Sequence, residues 1–341
     1  MKTVLKIIAF LLIMTTFSCS SDDDSNSAPA QVNKDIYVCG IESNGSNNRA
    51  KVWKNGVATN LTDGTINTIA RSVFVSGTDV YVAGYEEGTS TRIAKLWKNG
   101  VVTNLSNGTQ FAYAYDVTVS GTDVYVAGFE SNGTVNVAKI WKNGVAINLT
   151  DGTKNAVVSC VVVDGTDVYA GGFESNGTRN VAKIWKNGSP IILSDGTHSH
   201  SVSSIAVSGT DVYACGYGFN GTKYVAKTWK NGLTTNLTDG VNTSYANSIA
   251  VSGNDVYITG YESNGTVNVS KVWKNGVPTT LSNSSYNSYA SCIAISGTDV
   301  FISGNEYNGT HSLAKYWKNG TTTNMSNETP VNGLAYSIFI K

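Results

Sequence analysis

The sequence predicts an all-β fold, a seven-bladed β-propeller with four antiparallel strands per blade, and three observations predict it. Seven tryptophans, Trp53 through Trp317, stand 44 residues apart, and each opens the same tetrapeptide, Trp-Lys-Asn-Gly. Every period holds four short strand-like segments separated by turn residues, the signature of propeller blades. The two ends of the repeat are out of phase in a way that lets each complete the other.

One period shows the elements in order. Residues 72–76, Ser-Val-Phe-Val-Ser, alternate apolar and small residues and read as strand A. Gly77-Thr78-Asp79 turns the chain into strand B, Val80 to Tyr85. A looser loop, Glu86 to Thr91, leads to strand C, Ile93 to Lys98. Asn99-Gly100 is a strong two-residue hairpin signal, because both turn positions need positive φ. It hands the chain to strand D, Val101 to Leu105. No segment of the repeats has apolar residues at helical spacing, which excludes helical repeat arrays.

The chain enters the first period at strand B, Asp35-Ile36-Tyr37-Val38, with no strand A before it. It ends on Ser337-Ile338-Phe339-Ile340-Lys341, a strand A with no strand B after it. Pairing these two ends makes the seventh complete blade and removes the free edges of a linear array. One residue is inserted in the last D–A loop, near Pro330.

Composition narrows function. Among 341 residues, Lys+Arg and Asp+Glu are both 24, so formal charge is zero and no basic stripe points to nucleic acid. Lys2 and Lys6 precede an apolar run, Ile7 to Met14, that is too short for a resident membrane span and reads as a secretory signal. Ser18-Cys19 and the acidic stretch Ser-Ser-Asp-Asp-Asp after it resemble the signal and tether of bacterial lipoproteins. Together with the 44-residue repeat, they resemble the repetitive propeller lipoproteins of the Bacteroidota. The resemblance implies a signal peptide over 1–18, lipid attachment (palmitate-type acylation) at Cys19 and a disordered acidic tether over 19–33. It further implies a membrane-anchored propeller over 34–341, at the outer membrane of the cell envelope and displayed on its surface.

Residues present in every copy are expected to build the blade. Strand B ends with Glu in six copies, Glu42 to Glu306, and Gly218 stands in the fifth. Hairpin geometry brings each Glu near the Lys before the tryptophan, predicting ion pairs such as Glu42–Lys51. The Asp opening each strand B suits a turn role, bonding nearby backbone N–H groups. Each tryptophan is expected to be buried between blades with lysine stems over its ring. Cys39, Cys160, Cys215 and Cys292 fall at small-residue positions and read as buried free thiols. The Asn-x-Thr triplets read as turn chemistry.

The D–A loops differ most between copies, and they lead toward the innermost strand. Their late positions carry Arg71, Tyr113, Tyr115, His198, His200, Tyr245 and Tyr289, which form the candidate ligand-binding set. Tyr and His pair an apolar body with a hydrogen-bonding tip, suited to saccharide or protein surfaces. His198 and His200 lack an obvious third metal ligand, so neither a metal nor a cofactor is expected. There is no catalytic motif, and Leu61–Thr65 faintly resembles the Asp-box of sialidase-type propellers but lacks its following aromatic, so no sialidase activity is implied. The expected function is therefore non-enzymatic recognition of a glycan or an envelope protein. A polysaccharide hydrolase or lyase with its site in the central channel, and a purely structural spacer, are the alternatives.

Overall fold

The computed structural model describes residues 34–43, 45–326 and 332–341. The signal segment, Cys19, the tether and the insertion near Pro330 lie outside the described residues. Seven four-stranded antiparallel sheets follow one another, each ordered A-B-C-D. In blade 2 these strands are Asn67–Ser76, Asp79–Glu87, Arg92–Lys98 and Val101–Asn104. Blade 1 takes strand A from the C-terminus, Gly333–Ile340, which pairs with Ile36–Ser43. The A strands of blades 1 to 7 touch in a closed circle. The propeller is thus closed by its tail, as the phase of the repeat requires.

Local chemistry explains the hairpins. Asn99 has φ 51°, and so do its counterparts within a degree. Its side chain does more than permit the turn. Asn99 Oδ1 accepts from Val80 N at 2.8 Å, while Nδ2 donates to Asp79 Oδ1 at 2.8 Å. Lys98 completes the cluster with an ion pair to Asp79 Oδ2 at 2.7 Å. The Asp opening strand B therefore holds a lysine and an asparagine of the neighbouring hairpin rather than the backbone N–H groups expected from its turn position. The hydrogen bonds from Lys98 and then Asn99 hold the Asp79 carboxyl below the usual carboxylate range. The same lysine sits over the Tyr81 ring, 5.3 Å from its centroid. That corrects the expectation that lysine stems cover the tryptophans. Trp and Lys are sequence neighbours on a strand, so they face opposite sides of the sheet.

The tryptophans are the largest buried side chains, all at most 1% exposed. Trp97 of blade 2 packs with Tyr37, Cys39, Ala50 and Val52 of blade 1. Trp229 of blade 5 also donates its indole N–H to Leu193 O of blade 4 at 3.1 Å. Each core therefore lies between two sheets, so no blade is complete alone. At the closure, Val38, Trp53 and Ile338 pack with Phe301 and Met325 of blade 7.

All six expected Glu–Lys pairs form, on side chains only 11–21% exposed. They run diagonally, since Glu42 stands opposite Arg49 and Lys51 opposite Gly40. Blade 5, with Gly218, differs: Lys227 donates to Asn236 Oδ1 at 2.6 Å, and His200 fills the space the carboxylate would take.

Strand A departs from the sequence reading. It starts five residues earlier than expected, at Asn67 rather than Ser72, because the strand contains a β-bulge between Ala70 and Ser72. Every blade has it at the same place. A bulge adds one unpaired residue and turns its side chain out of the ordinary alternation.

Candidate functional site

The bulge builds the site. Since strand A is innermost, the seven unpaired residues converge on the axis, one from each blade. On one side these are Tyr336, Arg71 and Tyr115; opposite them stand Ser159, Ser203, Asn247 and Ser291. They line a cavity of about 720 Å³. The sevenfold backbone thus presents a wall with no sevenfold symmetry.

One residue further along strand A, a belt of small polar groups ties blade to blade. Val73 N donates to Ser337 Oγ at 3.3 Å, Val117 N to Ser72 Oγ at 3.3 Å and Val161 N to Asp116 Oδ2 at 2.9 Å. Ile249 N and Ile293 N make the same contact to Ser204 and Ser248 at 3.4 and 3.2 Å. Asp116, among the described residues the lone carboxylate of the cavity wall, also accepts from Ser72 Oγ at 2.6 Å and from its neighbour Val117 N at 2.9 Å. Burial pushes its carboxyl up, against these three donors. Cys160 and Cys292 occupy the belt in their own blades, and Ser248 and Ser337 both donate to Cys292 Sγ. Burial raises the thiols of all four described cysteines, which are free. Raised thiols are poor nucleophiles.

Toward the D–A loops the wall becomes aromatic. Tyr217, Tyr245, Tyr261 and Tyr289 follow one another with ring centroids 4.8, 5.2 and 4.9 Å apart. A second group holds Tyr85, Tyr113, Phe129 and Tyr115, in which Tyr113 lies 4.5 Å from Tyr85 and 4.8 Å from Phe129. Arg92 covers Tyr113 at 5.4 Å and is paired with Glu87 at 2.9 Å. Burial raises the phenols of Tyr115 and Tyr261 and lifts Tyr245 to about 12. These hydroxyls are neutral at physiological pH, able to donate and accept.

The residues singled out from sequence distribute as follows. Arg71, Tyr115 and Tyr289 line the cavity; Tyr113 and Tyr245 stand behind them in the ring stacks. All five lie on strand A rather than in the D–A loops, because the bulge extends the strand. His200 begins strand A of blade 5 with Nδ1 against His198 O at 2.9 Å, and burial lowers its ring pKa. His198 lies in the loop, 6.2 Å from Phe219. The two histidines stand apart from the cavity wall, and among the described residues no three of His, Cys, Asp and Glu gather as metal ligands.

Sequence reasoning missed Phe173, Tyr217, Tyr261 and Asn305, which reach the cavity from strand B, and Tyr336 and Asn247 at the bulge. A signal was present. The strand-B position of Tyr85 is aromatic in five copies and becomes Ile41 and Asn305 in the other two. What the assembled wall can do is stack on apolar faces, exchange hydrogen bonds with hydroxyls and receive an anion at Arg71.

Fold and cavity together define a β-propeller with an asymmetric axial pocket. Comparison with solved structures agrees with the fold. The chain is similar to the β-propeller domain of the trilobed protease from Pyrococcus furiosus, described as having an open velcro topology. The TM-score is 0.52 and the identity 10%, over 86% of this chain and 93% of that one. In the present protein the ends are instead joined by the pairing of Ile36–Ser43 with Gly333–Ile340. No protein-family model matches the sequence, and no curated protein matches it.

Proposed function

We propose that this protein is a non-enzymatic binding module of the cell envelope, carried on a lipid anchor at Cys19, that recognises a glycan through the axial cavity and its aromatic mouth. One observation carries the reading: the propeller breaks its own repeat at the axis. Outer strands, hairpins and tryptophan layers are nearly alike in every blade, while the bulge residues range from arginine and tyrosine to serine and asparagine. Rings beside hydroxyls and amides match the apolar faces and polar edges of a sugar. Asp116 is committed to three donors, and among the described residues the cavity wall offers no second carboxylate for a paired acid–base mechanism.

The test compares the full chain with a Tyr115→Ala, Tyr261→Ala, Tyr289→Ala variant on a glycan array, with affinities read by calorimetry. Loss of stacking at three rings is expected to abolish measurable binding, since each ring contributes on the order of 1 kcal/mol beyond its buried area. A protein partner binding equally well to the variant would move recognition away from the axis. The anchor has its own test. Labelling of cells with an alkynyl fatty acid is expected to mark the wild-type chain and not Cys19→Ser, and equal labelling of both would remove the anchor.

A further inference from the structure

Resting on the glycan reading, we infer that the axial cavity selects acidic saccharides, with Arg71 receiving the carboxylate or sulfate of a negatively charged sugar residue. Among the described residues Arg71 is the one cationic residue of the cavity wall. Its guanidinium lies over the Tyr336 ring at 4.6 Å from the centroid and near the Tyr115 ring at 5.6 Å. Among the described residues no carboxylate pairs with it. The other charged group of the wall, Asp116, is spent on Ser72, Val117 and Val161.

Among the described residues eight cationic side chains, those of Arg49, Arg71, Arg179 and five lysines, make no ion pair, and of these eight Arg71 alone lines the cavity. Arg92 is paired with Glu87, and thirteen lysines have Asp or Glu partners. A guanidinium set against two rings has lost much of its side-chain freedom; it donates a hydrogen bond to the Tyr336 hydroxyl, and among the described residues no carboxylate takes the rest of its fork. It is organised for an oxyanion that accepts through two oxygens before the ligand arrives. Across the axis, Ser159, Ser203, Ser291 and Asn247 offer hydroxyls and an amide. Asn247 Nδ2 is used by Ala290 O at 2.8 Å, which turns the amide to a fixed orientation. The ligand that answers this wall has one negative group on one side and hydroxyls on the other. An acidic monosaccharide unit meets that description, and a cavity of about 720 Å³ is in the range of small-ligand sites.

The experiment uses the full chain in detergent and three probes: tetragalacturonate as the carboxylated oligosaccharide, a sulfated dextran oligosaccharide, and maltotetraose as the neutral one. Binding is followed by calorimetry at two salt concentrations, with thermal unfolding to show that each variant is folded. One or both anionic probes are expected to bind with an affinity that falls as salt rises, and maltotetraose at least tenfold more weakly. Arg71→Gln is expected to lose on the order of tenfold or more for the anionic probe, as a charge-assisted hydrogen bond implies. Arg71→Lys is expected to fall between, because it keeps the charge but not the fork. Which anionic probe binds distinguishes carboxylate from sulfate. Equal binding of acidic and neutral probes, or an Arg71→Gln variant indistinguishable from wild type, overturns the inference while leaving the glycan reading in place. Binding of no anionic probe to the wild type overturns it as well, and a glycan array with no tyrosine-dependent hit separately overturns the glycan reading.

Discussion

A single carbonyl sets the most demanding position in each blade. The bulge pushes the backbone oxygen before it toward strand B, and the residue facing it is glycine in all seven copies. A Cβ on Gly128 would lie 1.9 Å from Tyr113 O and 3.1 Å from the Trp141 ring. Its neighbour Gly171, one register position earlier in the next blade, is crowded too, but by side-chain ends: Val202, Cys160 and Ile205 at 2.7–2.8 Å. Six other copies carry a Cβ at that position, as Cys39, Ala83 and Thr259 illustrate. The two glycines therefore respond differently to the same substitution. Gly128→Ala is expected to destabilise by about 1–3 kcal/mol, because backbone must move and a bulge must open. For Gly171→Ala, side chains shift instead, and the loss of unfolded-state freedom returns about 0.4–1 kcal/mol. Urea unfolding of the two variants measures this, and equal midpoints would mean that the bulge carbonyl does not govern the glycine.

At the scale of the strand, what the sequence discloses depends on whether a signal is local. Strands B, C and D and the Asn-Gly hairpins are legible because alternation and positive φ are decided within a few residues. The first half of strand A is not. Ala70 and Val73 are both buried although three residues apart, so period-two alternation fails across the bulge and Asn67–Arg71 resembles a loop. That one irregularity also hid the site. Arg71 and Tyr115 are conspicuous as departures from the repeat, yet reading them as loop residues places them on the rim when they line the cavity wall. The strand-B aromatics are obscured for the opposite reason. Tyr217 and Tyr261 recur with the period, and a recurring residue invites a structural explanation, although in a ring every recurring position on an inner strand surrounds the axis. The ion pairs of Asp79 with Lys98 and of Glu86 with Lys95 separate in the same way. The Glu–Lys pair follows from the hairpin, whereas the Asp–Lys pair depends on how two hairpins end side by side.

For the molecule as a whole, the ring is a cooperative object whose stability depends on one strand from the far end of the chain. Each tryptophan core spans two blades, so an open arc of seven blades would leave two half-cores exposed. Gly333–Ile340 prevents this three times over. It pairs with Ile36–Ser43, its Ile338 joins Val38, Trp53 and Phe301, and its Ser337 accepts from Val73 N in the polar belt. It also brings Tyr336 to one face of Arg71. A chain ending at Asn332 would expose the edge of strand B in blade 1 and the Trp53 cluster together, a template for pairing between molecules. Such a truncation is expected to elute as oligomers or aggregates and to unfold at lower temperature than the full chain. A synthetic peptide spanning 332–341 has the register to fill the vacancy, as strand addition at an open edge requires. Adding it is expected to restore the monomer and raise the unfolding temperature, while a peptide with Ile338→Asp is expected to do neither. If the truncated chain is monomeric and as stable as the full one, the tail is an accessory and the blades hold their circle by lateral packing alone. If only the intact peptide rescues it, closure by the last strand is what turns seven incomplete blades into one folded unit with a single asymmetric axis.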